Sequence, residues 1–123
     1  MNQQQLLQNK YENLDLKKLD SEIKKEGFVY KLIKRTNEKL LYSQSANGKI
    51  EAYVLFKNKI LKYREHLKRI NEKRGLDFNP NNYQEYKEKF PHDEEFGERA
   101  WCYKKLDSAM KDYDQLAIVN TAA

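Results

Sequence analysis

The sequence predicts an α+β domain: a small antiparallel sheet, built as a three-stranded meander with a fourth strand added later in the chain, and flanked by helices. Three observations carry this. Residues 28–36 and 50–56 alternate in the two-residue period of a strand. Asn47-Gly48, just before the second of these runs, is a dipeptide that tolerates the positive φ angles of a tight hairpin. Before and after them, apolar residues recur three and four apart, the period of a helix.

Taken in order, Asn13 to Glu26 carries Leu16, Leu19 and Ile23 at helical spacing, with Asp15 to cap the start and Gly27 to end it, which predicts a short amphipathic helix. Phe28 to Thr36 is β-branched and aromatic, with Phe28, Tyr30 and Leu32 on one face and Val29 and Ile33 on the other, which predicts a strand buried on both sides. Asn37 to Lys39 form a turn, and Leu40 to Ser45 return. Ile50, Ala52, Val54 and Phe56 then alternate with Lys49, Glu51, Tyr53 and Lys57 to complete the meander.

Asn58 to Arg74 has two readings, because Phe56, Asn58 and Ile60 continue a strand while Ile60, Tyr63, Leu67 and Ile70 follow a helix. The helix, ending at Gly75, is preferred. Leu76 to Asn82 reads as a loop, and Tyr83 to Phe90 as one or two helical turns before Pro91. Ala100 to Tyr113 fits one helix, or a short strand at Ala100 to Tyr103 followed by a helix from Leu106 to Ala117; the aromatic pair and Gly97 favour the second. Residues 1–123 read as a single domain, with frayed tails at about residues 1–10 and 119–123.

The 123 residues, 39% hydrophobic and 12% aromatic, supply one core despite 35% charged residues. No stretch approaches the ~20 apolar residues that cross a bilayer. Met1 to Gln8 lacks the basic and apolar blocks of a signal peptide, so export is not expected and the expected location is cytoplasmic. Cys102 is the sole cysteine, which excludes an internal disulfide and any multi-cysteine zinc site.

Charge is unevenly placed. The chain carries a net +5, yet Lys57 to Arg74 holds eight basic residues against Glu65 and Glu72. At about 100° per residue, Lys62, His66, Arg69 and Lys73 share one helical face, and Ile60, Tyr63, Leu67 and Ile70 another. A helix packed on its apolar side would present cations that can follow a phosphate backbone. Lys59, Lys62, His66, Arg69, Lys73 and Arg74 are therefore the candidate partner or nucleic-acid contacts. A solvated surface helix, with Glu65 four residues before Arg69, is the plainer reading of the same run. Glu85 to Glu98 is the counterpart, with six acids against Lys87 and Lys89. Two such patches suit a charged protein or ribonucleoprotein surface, or they neutralise each other within the fold.

Tyr30, Tyr42 and Tyr53 are candidates to stack unpaired bases, although Gly27-Phe28-Val29-Tyr30 lacks the flanking pattern of the ribonucleoprotein signature, and ordinary sheet packing accounts for them too. The chain has no phosphate-binding Gly-x-x-x-x-Gly-Lys loop, His-Glu-x-x-His, Gly-x-Ser-x-Gly or Cys-x-x-Cys. His92-Asp93-Glu94-Glu95 offers one nitrogen ligand and reads as solvated loop acids. Cys102 reads as a buried, inert thiol. The expectation is a binding protein, with no catalytic residues, no metal site and no cofactor.

Two segments, FVYKLIKRTNEKLLYSQSANGKIEAYVLF from Phe28 to Phe56 and FPHDEEFGERAWCYKKLDSAMKDYDQLA from Phe90 to Ala117, resemble small phage and mobile-element proteins of Bacteroidetes-like bacteria. These pair a Tyr-x-Leu-Ile-x-Arg-Thr strand with a later Phe-Gly-x-x-Ala-Trp-x-Tyr-x-x-Leu stretch. The resemblance covers about half the chain and leaves the basic intervening segment Asn58 to Lys89 between its two parts. It implies an inhibitor of host defence, of the anti-CRISPR kind, that binds an RNA-guided nuclease effector or its guide RNA. A free-standing binder of RNA or single-stranded DNA and a phage structural or assembly protein are the alternatives.

Overall fold

The computed structural model describes residues 14–116, which hold eight strands and two α-helices in an α+β fold. The expected frayed ends at residues 1–10 and 119–123 lie outside them. The chain packs as two compact units. Among the described residues, one is formed by 14–19 and 59–90, the other by 20–58 and 91–116.

The second unit contains a five-stranded sheet. Its strands are β2 (Glu22–Lys25), β3 (Phe28–Arg35), β4 (Lys39–Ala46), β5 (Lys49–Lys57) and β8 (Ala100–Tyr103), in the order β2-β3-β4-β5-β8. All neighbours are antiparallel. The meander of the sequence reading is β3-β4-β5, and the fourth strand is β8, followed by α2 (Leu106–Gln115). The expected end of that helix at Ala117 falls outside the described residues. Asn47 and Gly48 take φ of 54° and 78°, the pair of positive angles that lets a two-residue turn match the strand twist.

The helix expected over Asn13 to Glu26 is not there: its described part holds β1 (Leu16–Lys17) and β2. Glu26 and Gly27, at φ 54° and 85°, form a second two-residue turn that folds β2 onto β3, pairing Lys25 with Phe28. A glycine after a charged run marks a helix end or a hairpin equally well, and here the neighbouring edge of β3 decides.

The sheet's faces are set by register. Leu41, Leu55, Trp101 and Tyr103 point to α2 and pack with Ala109 and Tyr113; Leu41, Leu55, Ala109 and Tyr113 are fully or almost fully buried. Each large apolar side chain so buried contributes about 1.5–3 kcal/mol. Leu40, Tyr42, Val54 and Phe56 are buried on the other face, where Tyr42 stacks on Phe56 at 5.8 Å. A register shift between Leu32 and Lys34 leaves Ile33 as the bulged residue, and it is 41% exposed rather than packed as the alternation implies. Arg99 reaches Glu95 Oε2 at 2.6 Å and donates to the Lys57 carbonyl, and its guanidinium lies 5.6 Å from the Phe56 ring centre.

The first unit contains a three-stranded sheet, order β1-β7-β6, from β1, β6 (Ile60–Leu61) and β7 (Tyr86–Glu88), together with α1 (Tyr63–Lys73). β1 runs parallel to β7, and β6 antiparallel to it. Two sequence expectations are corrected here. Asn58 to Arg74 is not one helix, since Ile60 and Leu61 pair with Glu88 and Lys87 before α1 begins at Tyr63. Tyr83 to Phe90 is not helical, because Tyr86–Glu88 is the central strand of this sheet. Ile60, almost fully buried, gathers Leu14, Leu16 and Tyr86 around it. Glu88 is fully buried as well, and its Oε1 accepts the Leu19 amide at 2.9 Å.

Candidate functional site

All of the chain's excess positive charge belongs to the first unit. Its described residues carry eleven basic and six acidic side chains, whereas those of the second unit carry twelve of each. The concentration centres on α1. Tyr63, Leu67 and Ile70 of that helix are half-buried, while Lys62, His66, Arg69 and Lys73 are exposed, so the two faces fall where the helical period puts them. Lys62 is the N-cap and its side chain makes no capping hydrogen bond, and Arg69 pairs with Glu65 one turn earlier. The structure thus aligns four of the six candidate contacts. Lys59 is half-buried, with its carbonyl accepting the Lys89 amide at 2.9 Å, and Arg74 is the C-cap; both stand off the line of four.

Arg64, counted in the basic run, serves the fold instead. It is half-buried, donates to Asp15 Oδ2 at 2.9 Å and to the Tyr83 carbonyl at 3.0 Å, and ties α1 to the segment before β1. The sequence reading also missed a cluster at the start of α1. Lys17 of β1 and Lys87 of β7 are register partners, and their ammonium groups lie 5.9 Å and 5.1 Å from the centre of the Tyr63 ring. Tyr63 meets Tyr83 edge-on at 5.8 Å, and Tyr83 stacks on Phe78 at 5.5 Å. These residues are scattered over seventy positions, and strands of two and three residues leave no periodic signal to connect them.

Beside α1 lies a groove of about 820 Å³. Lys62, Glu65, Lys68 and Glu72 on the helix side, Leu76, Asp77, Phe78 and Pro80 after it, and Arg64, Glu85 and Tyr86 make up the lining. Leu76 is 56% exposed. Burial, followed by the charge and hydrogen bond of Glu85, pushes the Tyr86 hydroxyl above its ordinary pKa of 10.0.

The three tyrosines proposed to stack bases do not form a platform. Tyr42 is fully buried and donates to the Asp20 carbonyl at 2.8 Å, so neither face of its ring is open. Tyr53 lies on the α2 side of the sheet and packs against that core, whereas Tyr30 lies on the opposite face, near Phe28 at 6.3 Å. The pairing of Tyr42 with Leu32 and of Tyr53 with Ser43 sets this, since adjacent strand positions alternate sides. Burial, then the charges of Glu26, Cys102 and Asp93, raises the pKa of Tyr30.

Cys102 is exposed, not buried as expected: it shares a side of the edge strand β8 with Ala100, away from the α2 core that takes Trp101 and Tyr103. Asp93–Glu95 forms a short 3-10 turn in which Glu95 accepts the His92 amide at 3.0 Å and binds Arg99. Among the described residues no three His, Cys, Asp or Glu side chains are grouped to hold a metal ion, and no helix is long and apolar enough to cross a membrane. Comparison of the chain with protein-family models, curated proteins and solved structures finds no match.

Proposed function

We propose that this chain is a non-catalytic inhibitor that docks on an RNA-guided nuclease effector and lays the exposed face of α1 along the phosphate backbone of the guide RNA. The observation that carries the reading is the placement of the whole charge excess in one unit, with Lys62, His66, Arg69 and Lys73 in line on the solvent side of one helix. The three cations of that row, Lys62, Arg69 and Lys73, can displace counterions from a polyanion. The class of target rests on the resemblance of residues 28–56 and 90–117 to mobile-element proteins. The aromatic residues of the five-stranded sheet add little to a base-stacking role, which favours contact with the backbone over reading of bases.

The test uses an RNA-guided nuclease of a Bacteroidetes-like bacterium, loaded with its guide. The wild-type chain is expected to form a complex with it and suppress cleavage. The combined variant K62E, R69E, K73E is expected to lose at least about tenfold in affinity while keeping its circular dichroism spectrum. Undiminished binding by this variant, or cleavage unaffected by the wild-type chain, overturns the reading. Equal binding to free single-stranded RNA with cleavage intact would instead identify an accessory RNA binder.

A further inference from the structure

We infer that the groove beside α1 takes a short polypeptide segment that carries an apolar anchor and basic residues. Two triads on the one helix are offset by a single residue. His66, Arg69 and Lys73 face solvent, and Glu65, Lys68 and Glu72 line the groove. A one-residue offset turns a face by about 100° around the axis, so a cationic face and a mixed, largely acidic one run side by side.

Within the groove two charges are already used, Arg64 by Asp15 and Glu65 by Arg69. Glu72, Asp77 and Glu85 then stand against Lys62 and Lys68, a net negative lining inside a unit of net positive charge. The apolar part is fixed to the end of α1 by backbone hydrogen bonds. After α1 the Gly75 amide donates to the Glu72 carbonyl at 3.2 Å and the Leu76 amide to the Asn71 carbonyl at 2.9 Å, with Gly75 at φ 68°. In this type of helix end the second residue after the cap usually packs back on the last turn. Here Leu76 remains 56% exposed, on the groove wall with Phe78 and Pro80. The volume of about 820 Å³ suits a ligand of several side chains, and the occupant that complements both the exposed leucine and the carboxylates is apolar and basic.

The inference rests on the proposed function only for where such a segment would be met. Proteins that hold RNA line it with Lys and Arg, so an element laid on the backbone meets phosphate on one face and basic protein on the next. Bare RNA offers no such second surface.

The full chain, labelled with ¹⁵N, is titrated separately with a short capped peptide of alternating Arg and Leu, the same peptide with Glu for Arg, and a short oligouridylate. The Arg-Leu peptide is expected to shift the amide signals of Glu72, Leu76, Phe78 and Tyr86, and the Glu-Leu peptide to bind at least about tenfold more weakly. The exposed-site variants Leu76→Ser and Asp77→Lys should each weaken the Arg-Leu peptide. Equal binding of both peptides, shifts confined to other residues, or no binding of the Arg-Leu peptide overturns the inference. The oligouridylate arm reads the face of His66, Arg69 and Lys73, so its failure counts against the proposed function and leaves the groove to be judged by the peptides.

Discussion

Tyr103 donates a hydrogen bond to Asp112 Oδ2 at 2.6 Å, from β8 to α2. Burial first, and then this bond and the charge of Asp112, raises the tyrosine pKa well above its ordinary 10.0. A group whose pKa is higher in the folded chain binds its proton more tightly there. Its stabilising contribution is complete below pH 10, the unfolded value, and is lost as pH rises past it. Tyr30, Tyr86 and Tyr113 are shifted in the same direction, each first by burial. Stability to urea is therefore expected to fall above pH 10, with Tyr103→Phe showing a shallower fall than the wild type; equal alkaline slopes would refute the assignment. Little at this scale was legible in the sequence. The pairing of Tyr103 with Asp112, the burial of Tyr42 and Glu88, and the exposure of Cys102 all depend on strand neighbours that composition does not specify.

Both described α-helices begin on a lysine that offers no side-chain cap, Lys62 for α1 and Lys105 for α2. A cation at this end opposes the helix dipole and leaves amides unsatisfied. Replacing either by aspartate should add about 1 kcal/mol of stability. The two variants are expected to part company in binding: Lys62→Asp weakens RNA binding and Lys105→Asp leaves it unchanged, as measured by fluorescence anisotropy beside thermal unfolding. A loss of binding in both would remove α1 from its special place. At this scale the sequence was clearest where an element is long and its turn is specific. Asn47-Gly48 and the alternation through Phe56 gave β4 and β5, and the spacing of Tyr63, Leu67 and Ile70 gave α1 and its exposed cations. It misled where strands are too short for a period. Leu16, Leu19 and Ile23 keep helical spacing while Leu16 serves one sheet and Ile23 another, and Tyr86–Glu88 finds its partners at Leu16, Lys17, Ile60 and Leu61.

The division of the chain into a cationic unit and an electrically balanced one makes ionic strength the natural probe of the molecule. If Lys62, Arg69 and Lys73 each meet a phosphate of single-stranded RNA, the logarithm of the binding constant should fall with the logarithm of salt concentration at a slope of about −2. Reversing Lys73 should bring the slope nearer zero by about one. A slope close to zero for the wild-type chain would mean that the contact is not with phosphates. The candidate site was legible in outline, as a basic helical face, because charge along one helix is a local property. The groove was not, because its second wall is made by Leu76, Asp77, Phe78 and Pro80 and by Glu85 and Tyr86, which come beside the helix only through the reversal at Gly75 and the parallel pairing of β1 with β7.

Trp101, the only tryptophan, belongs to the balanced unit, packed on the core of Leu41, Leu55, Ala109 and Tyr113 with Lys57 Nζ 6.0 Å from its ring centre. Tyr63, Tyr83 and Tyr86 belong to the cationic unit. The protein is thus an instrument already fitted with two channels. Light absorbed by the indole alone interrogates one unit, histidine resonances of His66 interrogate the other, and comparing their melting traces tells whether the chain comes apart in one event or in two.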